Sequence, residues 1–190
     1  MRPMMRQRSA GKQSEFERGL AAALEGHGFG FEYLWNRFSR QVVTFARLQG
    51  SEDHEGMANL VFVAAFGKLA QFRGDENAFV ALLFSIARNK VIDERRSSGR
   101  RVQSTSLAHR QIFGGDVEAD AFAGLSDETR RALERLTVDQ REVLYLRLVA
   151  DLPLDSVARL AGRTVGATKA LQHRAIAALR KEISEEAVSK

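Results

Sequence analysis

A near absence of proline constrains this chain more than any other feature of its sequence. Pro3 and Pro153 are the two prolines, so nearly 150 consecutive residues contain no residue that breaks a helix by lacking a backbone donor. Alternation of apolar and polar residues, which is typical of half-buried strands, is scarce over the same stretch. The sequence therefore predicts an all-α protein.

Helical periodicity and its interruptions divide the chain into two small helical domains joined by a flexible linker. Residues 1–22 have a basic, weakly patterned composition and are predicted to be an N-terminal extension. Residues 23–101 are expected to form the first domain and residues 126–190 the second. Residues 102–125, with glycine, serine and acidic residues but few periodic apolar ones, are predicted to be a linker that lets the domains move independently.

Three helices are predicted in the first domain, because apolar residues recur at spacings of three and four. Gly50 interrupts the first helix, the second is expected to begin near Ser51 with acidic residues in its first turns, and the third to run from about Asp75 to Arg96. The first helix carries the clearest apolar face: Phe31, Leu34, Trp35, Phe38, Val42 and Phe45. Helices of this length with short connections predict a compact bundle.

The second domain has the pattern of a helix-turn-helix. Thr137 and Gln140 form a capping box for one helix, Gly162 suits the left-handed position that ends the next, and Thr164 can cap the last. A short helix, a glycine turn and a second amphipathic helix together are typical of this motif. An ordinary helical hairpin fits the spacing as well, but the basic residues favour DNA binding. The inward face is predicted to be Val165, Thr168, Leu171, Ala175 and Leu179.

Charge and residue usage narrow the possible classes of function. A net charge of +5 and a pI of about 10.0 favour polyanionic partners. The chain has no cysteine, and no segment reaches the apolar length of a membrane span or a signal peptide, so we expect a cytoplasmic protein without membrane insertion. The histidines are scattered, with no paired-ligand spacing and no nucleophile–base set: His27, His54, His109 and His173. We therefore expect no metal, no cofactor and no enzymatic activity.

The first domain contains three short motifs: IARN at residues 86–89, LWNRF at residues 34–38 and QFRG at residues 71–74. Together they resemble motifs of the extracytoplasmic-function (ECF) subfamily of bacterial RNA polymerase sigma factors. Residues 86–89 read IARN and are followed by Asp93, which is similar to the IARN…D..R pattern of the domain that reads the minus-10 promoter element. Residues 34–38 (LWNRF) look like the first helix of that domain, and residues 71–74 (QFRG) resemble its FRG turn.

Motifs in the second domain resemble the minus-35-reading domain of the same family. Residues 140–147 (QREVLYLR) are similar to its L…QREVL.LR helix, and residues 168–175 (TKALQHRA) resemble its recognition helix. The resemblance covers about residues 31–101 and 126–183. Two segments in the right order and at the right distance are much more specific than either segment alone.

The resemblance implies a protein that binds the clamp of the large subunit of core RNA polymerase and directs it to promoter DNA. An anti-sigma factor that holds the protein inactive is expected as well. The polymerase-binding residues implied are Asp53, Glu55, Asn59 and Phe62. The minus-10 residues implied are Arg73, Asn77, Arg88, Asn89, Lys90, Arg95 and Arg96. For the minus-35 element they are Arg163, Thr164, Lys169, His173 and Arg174.

The helix implied in polymerase binding departs from the family pattern. Gly56 and Leu60 stand where the family usually has further acids, so this helix is less acidic, and glycine costs roughly 1 kcal/mol in a helix interior. The alternative reading is a stand-alone helix-turn-helix transcription regulator that does not act through core polymerase. That alternative explains the second domain but leaves residues 31–101 without a role.

Overall fold

The structure, a computed structural model, describes residues 5–101 and 127–188, with side chains described for residues 15–96 and 129–184. Within these ranges all regular secondary structure is helical, which confirms the all-α prediction. The predicted linker, residues 102–125, and His109 lie outside the described residues. In chain order the helices are α1 (Met5–Leu24), α2 (Gly28–Leu48), α3 (His54–Gly67), α4 (Glu76–Arg101), α5 (Asp127–Arg135), α6 (Val138–Leu148), α7 (Leu154–Ala161) and α8 (Val165–Val188), with a 3-10 turn at Leu69–Gln71.

Helix α1 corrects the predicted N-terminal extension. The sequence-based boundary put residues 1–22 outside the first domain, yet the side chain of Phe16 is 1% exposed and its ring lies 5.8 Å from that of Phe79. Gly19 allows α1 to approach α2 closely, because a Cβ atom there would lie 2.1 Å from the Cδ1 atom of Tyr33. The first domain is therefore a bundle of α1 to α4 that already includes Phe16.

Helices α2, α3 and α4 form the bundle that the periodicity predicts. The apolar face of α2 is buried at Leu34, Phe38, Val42 and Phe45. Helix α3 begins three residues later than predicted, because the carboxylate of Asp53 caps it. Exposed backbone donors at a helix start are satisfied in this way by an aspartate placed just before the first turn.

Helices α5 to α8 form the second domain and contain the predicted helix-turn-helix. The capping box of Thr137 and Gln140 is present, with the Thr137 N–H donating to Gln140 Oε1 at 2.9 Å. Gly162 ends α7 in the left-handed region, at φ 65° and ψ 34°, as the sequence predicts. Val165 is an exception to the predicted inward face: it is 49% exposed, and burial on α8 begins one turn later at Thr168.

The two domains pack against each other, through α6 on α2 and α7 on α4. Tyr145 of α6 is 1% exposed and its ring lies 5.9 Å from that of Phe45 and 6.0 Å from that of Phe84. Its hydroxyl donates to the backbone oxygen of Gln41 at 2.7 Å. An aromatic ring of one domain thus completes the apolar core of the other.

Candidate nucleic-acid interface

The start of α3 is organised around the Asp53 carboxylate. Asp53 is exposed, and its Oδ1 atom accepts a hydrogen bond from the Gly56 N–H at 2.8 Å. A Cβ atom at position 56 would lie 2.0 Å from Asp53 Oδ2, so a residue with a side chain would displace the capping carboxylate. Gly56 is therefore the residue that lets Asp53 cap α3 in this geometry.

The outer face of α3 combines polar and apolar side chains. Glu55 and Asn59 are exposed, and so are Leu60 and Val63, at 54% and 70%. Phe62 points the other way: it is 2% exposed, and its ring lies 4.7 Å from that of Trp35. Phe62 thus holds α3 against α2, while the other residues predicted on this helix face outward.

A cleft of about 660 Å³ runs between the outer face of α3 and the C-terminal half of α4. Met57, Leu60 and Val63 provide its apolar wall. Lys90 lines the opposite side with the acidic residues Asp93 and Glu94 of α4. The assignment of Lys90 to the minus-10 element stays a prediction.

The turn before α4 carries Arg73 and Asn77, both exposed. The Arg73 guanidinium donates to the backbone oxygens of Ala70 and Phe72, at 3.0 Å and 2.7 Å. Asp75 Oδ1 accepts from the Ala78 N–H at 2.9 Å and caps the start of α4. In this conformation Arg73 stabilises the turn, and Asn77 presents its amide to the exterior.

Farther along α4, Arg88 and Arg95 lie seven residues apart and so share a face, as do Asn89 and Arg96. Asn89, Arg95 and Arg96 are exposed, whereas the Arg88 side chain is 28% exposed and its Nε donates to Glu142 Oε1 of α6 at 2.9 Å. The four residues form a strip of basic and amide side chains along the C-terminal half of α4. The second domain covers this strip at Arg88.

Glu142 is the charged residue at the domain contact that sequence reasoning missed. Its side chain is 5% exposed, and burial raises the pKa of its carboxyl, while the charge and hydrogen bond of Arg88 oppose that rise. Although the Arg95 residue is exposed, partial desolvation of its guanidinium lowers its pKa, against the attraction of Glu142 and Glu94. A local sequence pattern cannot predict the Arg88–Glu142 pair, because 54 residues separate the two along the chain.

The recognition helix α8 presents its predicted residues outward. Arg163, Thr164, Lys169, His173 and Arg174 are all exposed, whereas Thr168 and Leu171 are buried, at 0% and 8% exposed. Three of the outward residues have internal partners as well, and one of them is Arg174, whose Nε donates to the Ala170 backbone oxygen at 3.4 Å. The Thr164 hydroxyl accepts from the Ala167 N–H at 3.1 Å and caps α8, and Arg163 pairs with the Asp139 carboxylate.

Each of the two domains matches a known protein family. Residues 34–101 match the family Sigma-70 region 2, and residues 132–181 match Sigma-70, region 4. The matched segments correspond to α2–α4 and to α5–α8, the two bodies that carry the basic faces described above. The order of the two regions is the one that the motifs predict.

Relatives with this arrangement are sigma factors. The ECF RNA polymerase sigma factor SigD of Mycobacterium tuberculosis (strain ATCC 25618 / H37Rv) is 32% identical over 151 residues, which cover 75% of this chain and 71% of SigD. The ECF RNA polymerase sigma factor ShbA of Streptomyces griseus is 30% identical over 142 residues, 70% of this chain and 74% of ShbA. The chain belongs to the ECF subfamily of RNA polymerase sigma factors, whose partners are core RNA polymerase and promoter DNA.

Solved structures share the fold. The sigma factor RpoE of Bartonella quintana, solved with the anti-sigma factor NepR, matches with a TM-score of 0.62 at 23% identity, over 81% of this chain and 96% of RpoE. CnrH, solved with the cytosolic domain of CnrY, matches with a TM-score of 0.58 at 23% identity, over 88% of this chain and 96% of CnrH. These similarities support the arrangement of two helical domains.

Two structural findings bear on the remaining predictions. Among the described residues no helix has both the length and the apolar composition needed to cross a membrane. In the same part of the chain no group of three or more histidine and acidic side chains is arranged to hold a metal ion. Sigma factors as a family are not an enzyme class.

Proposed function

We propose that this sigma factor binds core polymerase through the outer face of α3 and reads promoter DNA with α4 and α8. The observation that carries the proposal is the placement of basic, outward-facing helices on two domains that match the sigma regions in order. Cations on exposed helix faces attract the phosphate backbone, and nearby amides can read base edges.

The polymerase surface proposed here is centred on Glu55, Asn59, Leu60 and Val63. Because Leu60 and Val63 are more than half exposed, the surface offers an apolar contact where relatives of this family usually have a further acid at position 60. Asp53 contributes a capped helix start, and the buried Phe62 positions the helix. Apolar side chains at the centre of a contact and charges at its rim are typical of specific protein interfaces.

The minus-10 surface proposed here consists of the turn with Arg73 and Asn77 and the α4 strip from Arg88 to Arg96. Unstacked bases can be read on their pairing edges by side chains such as Asn77 and Asn89. For the minus-35 element, Lys169 and His173 lie on the outward face of α8, with Arg163, Thr164 and Arg174 beside them. Lys90 contributes charge at the edge of the polymerase-facing cleft.

Control by an anti-sigma factor is part of the proposal. RpoE of Bartonella quintana has been solved with the anti-sigma factor NepR, and this chain shares its fold. We infer that a partner of that class regulates this chain too. Since core polymerase and promoter DNA are its partners, we place the protein in the cytoplasm and assign it no catalytic activity.

The polymerase surface is tested by a pull-down with purified core polymerase. Glu55→Lys and the pair Leu60→Ser with Val63→Ser are expected to lower retention of core polymerase at least about fivefold, as loss of interface anchors does. Glu32→Lys, which reverses an exposed acid on α2, is the control and is expected to bind normally. Absence of binding by the unsubstituted chain would favour the alternative, a stand-alone helix-turn-helix regulator.

The DNA surfaces are tested by transcription in vitro with core polymerase on a promoter library. Asn89→Ala and Lys169→Ala are each expected to reduce promoter-dependent initiation, because each removes an exposed group from a proposed DNA surface. Arg18→Ala, which removes an exposed cation from α1, is expected to leave initiation unchanged. Unchanged output from both test variants would refute the assignments.

A further inference from the structure

The recognition helix α8 begins with an apolar side chain that the second domain does not bury. Val165, the first residue of α8, is 49% exposed, whereas Thr168 and Leu171 on the next turn are buried. Single exposed apolar side chains are common on protein surfaces. This one lies on the helix to which we assign minus-35 DNA, so the following inference rests on the proposed function and concerns what that helix reads.

Few side chains at the start of α8 can form a hydrogen bond with a base. The Thr164 hydroxyl accepts the Ala167 N–H at 3.1 Å and caps the helix. Gly166, Ala167 and Ala170 are exposed but have no polar side-chain atom. Within residues 164–170, all of which the structure describes, Lys169 is the one exposed side chain whose polar group does not cap the helix. Sequence reading by this part of α8 therefore depends on Lys169 and on apolar contacts.

Val165 and Lys169 present their side chains on the same side of α8. Residues four apart on a helix are neighbours on one face, and both of these residues are exposed. Four residues advance the helix by about 6 Å, which is less than two base-pair steps of about 3.4 Å each. A duplex that Lys169 attracts through its charge therefore brings adjacent base pairs close to the Val165 methyl groups.

Gly166 leaves the outer surface of α8 open next to Val165. Glycine is unfavourable in a helix, and internal packing does not require it at this position, because a Cβ atom there would meet no other atom within 4 Å. A glycine on an exposed helix face lets another surface approach the backbone closely. The open face therefore favours entry of Val165 into a groove of DNA.

Thymine has the apolar group that fits Val165. In the major groove the base edges display hydrogen-bond donors and acceptors, and the apolar exception is the C5-methyl group of thymine. The valine side chain has no donor or acceptor, so contact with a polar base edge would leave that edge without the water it needs. We propose that Val165 contacts the C5-methyl group of a thymine in the minus-35 element and makes the chain prefer thymine at that position.

Deoxyuridine tests this contact, because it differs from thymidine only in lacking the C5-methyl group. Promoters recovered from the transcription library are rebuilt with single thymine-to-uracil replacements on either strand of the minus-35 element. Initiation by the full-length chain with core polymerase is then measured at one subsaturating concentration. One replacement is expected to lower initiation about fourfold, the effect of losing the burial of one methyl-sized group. Equal initiation on every uracil template would overturn the proposal, as would recovered promoters without an A·T pair in this element.

Substitutions at position 165 show whether the methyl contact belongs to this side chain. Val165→Ala is expected to lower initiation on the thymine template about fourfold and to abolish the difference between thymine and uracil. Val165→Ile keeps a branched apolar side chain and is expected to retain the preference for thymine. A thymine preference of unchanged size in Val165→Ala would overturn the proposal, because the methyl group would then be read by another residue.

The matched control removes an exposed apolar side chain elsewhere in the second domain. Leu148 at the end of α6 is 67% exposed, and Leu148→Ala is expected to keep the full preference for thymine over uracil. Loss of this preference in Leu148→Ala would contradict the assignment to Val165, because it would follow from the loss of any exposed apolar side chain.

Failure of this inference and failure of the proposed function give different results. If Lys169→Ala lowers initiation while uracil templates behave as thymine templates do, α8 reads the promoter without a methyl contact, and the proposed function stands. If neither Lys169→Ala nor Val165→Ala changes initiation, the minus-35 assignment fails together with the inference.

Discussion

At the scale of single residues, the start of α3 depends on Asp53 and Gly56 together. The Asp53 carboxylate caps α3 by accepting from the Gly56 N–H, and it lies where a Cβ atom of residue 56 would be. Replacing an N-cap aspartate by alanine costs about 0.5–2 kcal/mol. Replacing a helical glycine by alanine normally gains up to about 1 kcal/mol. A Gly56→Ala substitution would therefore combine an opposing loss and gain: it displaces the capping carboxylate, and it removes the cost of glycine in a helix.

We therefore expect Gly56→Ala to be neutral or destabilising in the unsubstituted chain and stabilising in the Asp53→Ala background, since the clash no longer exists there. The free energy of unfolding from denaturant titration, measured for the full double-mutant cycle, checks this. Gly67→Ala is the matched control at the other end of α3, where a Cβ atom meets no other atom within 4 Å. Equal effects of Gly56→Ala in both backgrounds would contradict the interpretation.

At the scale of helices, α1 contributes more to the core of the first domain than its amino-acid composition indicates. Phe16 packs edge-on against Phe38 at 6.2 Å and near Phe79 at 5.8 Å, so one residue of α1 joins two other helices of the bundle. Leu20 and Ala23 continue the same face toward the start of α2. The first domain therefore depends on a helix that lies before the matched sigma region, which begins at residue 34.

Phe16→Ala is accordingly expected to destabilise the first domain by about 3 kcal/mol or more, the usual cost of removing a buried phenylalanine side chain. Phe29→Ala provides the control, because Phe29 is 64% exposed and stacks on His27 at 5.6 Å without entering the core. Thermal denaturation of the full-length chain would distinguish the two. A Phe16→Ala protein as stable as the Phe29→Ala protein would show that α1 does not belong to the bundle.

The sequence predicts helices well where a periodic apolar face is dense and poorly where it is sparse. The face of α2 has an apolar residue at nearly every inward position, and the capping box and Gly162 delimit α6 and α7 unambiguously. In residues 15–24, the part of α1 whose side chains are described, the buried Phe16 stands between the charged Glu15 and Glu17, so the pattern resembles a solvated segment. The start of α3 was misplaced for a related reason, since only the geometry shows which acid caps the helix.

At the scale of the whole molecule, the contact between domains has no signature in the sequence. Tyr145 and Gln41 are separated by 104 residues, and Arg88 and Glu142 by 54, so no local period relates them. Residues assigned from motifs, such as Lys169 and Asn89, are exposed as those motifs imply. The motifs do not predict that Glu142 of the second domain is buried against the first domain, because this burial results from packing between the two domains.

The Tyr145 anchor couples the unfolding of the two domains. The Tyr145 ring belongs to the second domain but packs between Phe45 and Phe84 of the first. Unfolding of either domain therefore exposes the ring. We expect the unsubstituted chain to unfold in a single calorimetric transition. Tyr145→Ala is expected to split this transition into two. Tyr145→Phe keeps the ring contacts and loses only the hydrogen bond to Gln41, so it should retain one transition and lose about 1 kcal/mol. A single transition in Tyr145→Ala would mean that the domains are coupled by other contacts.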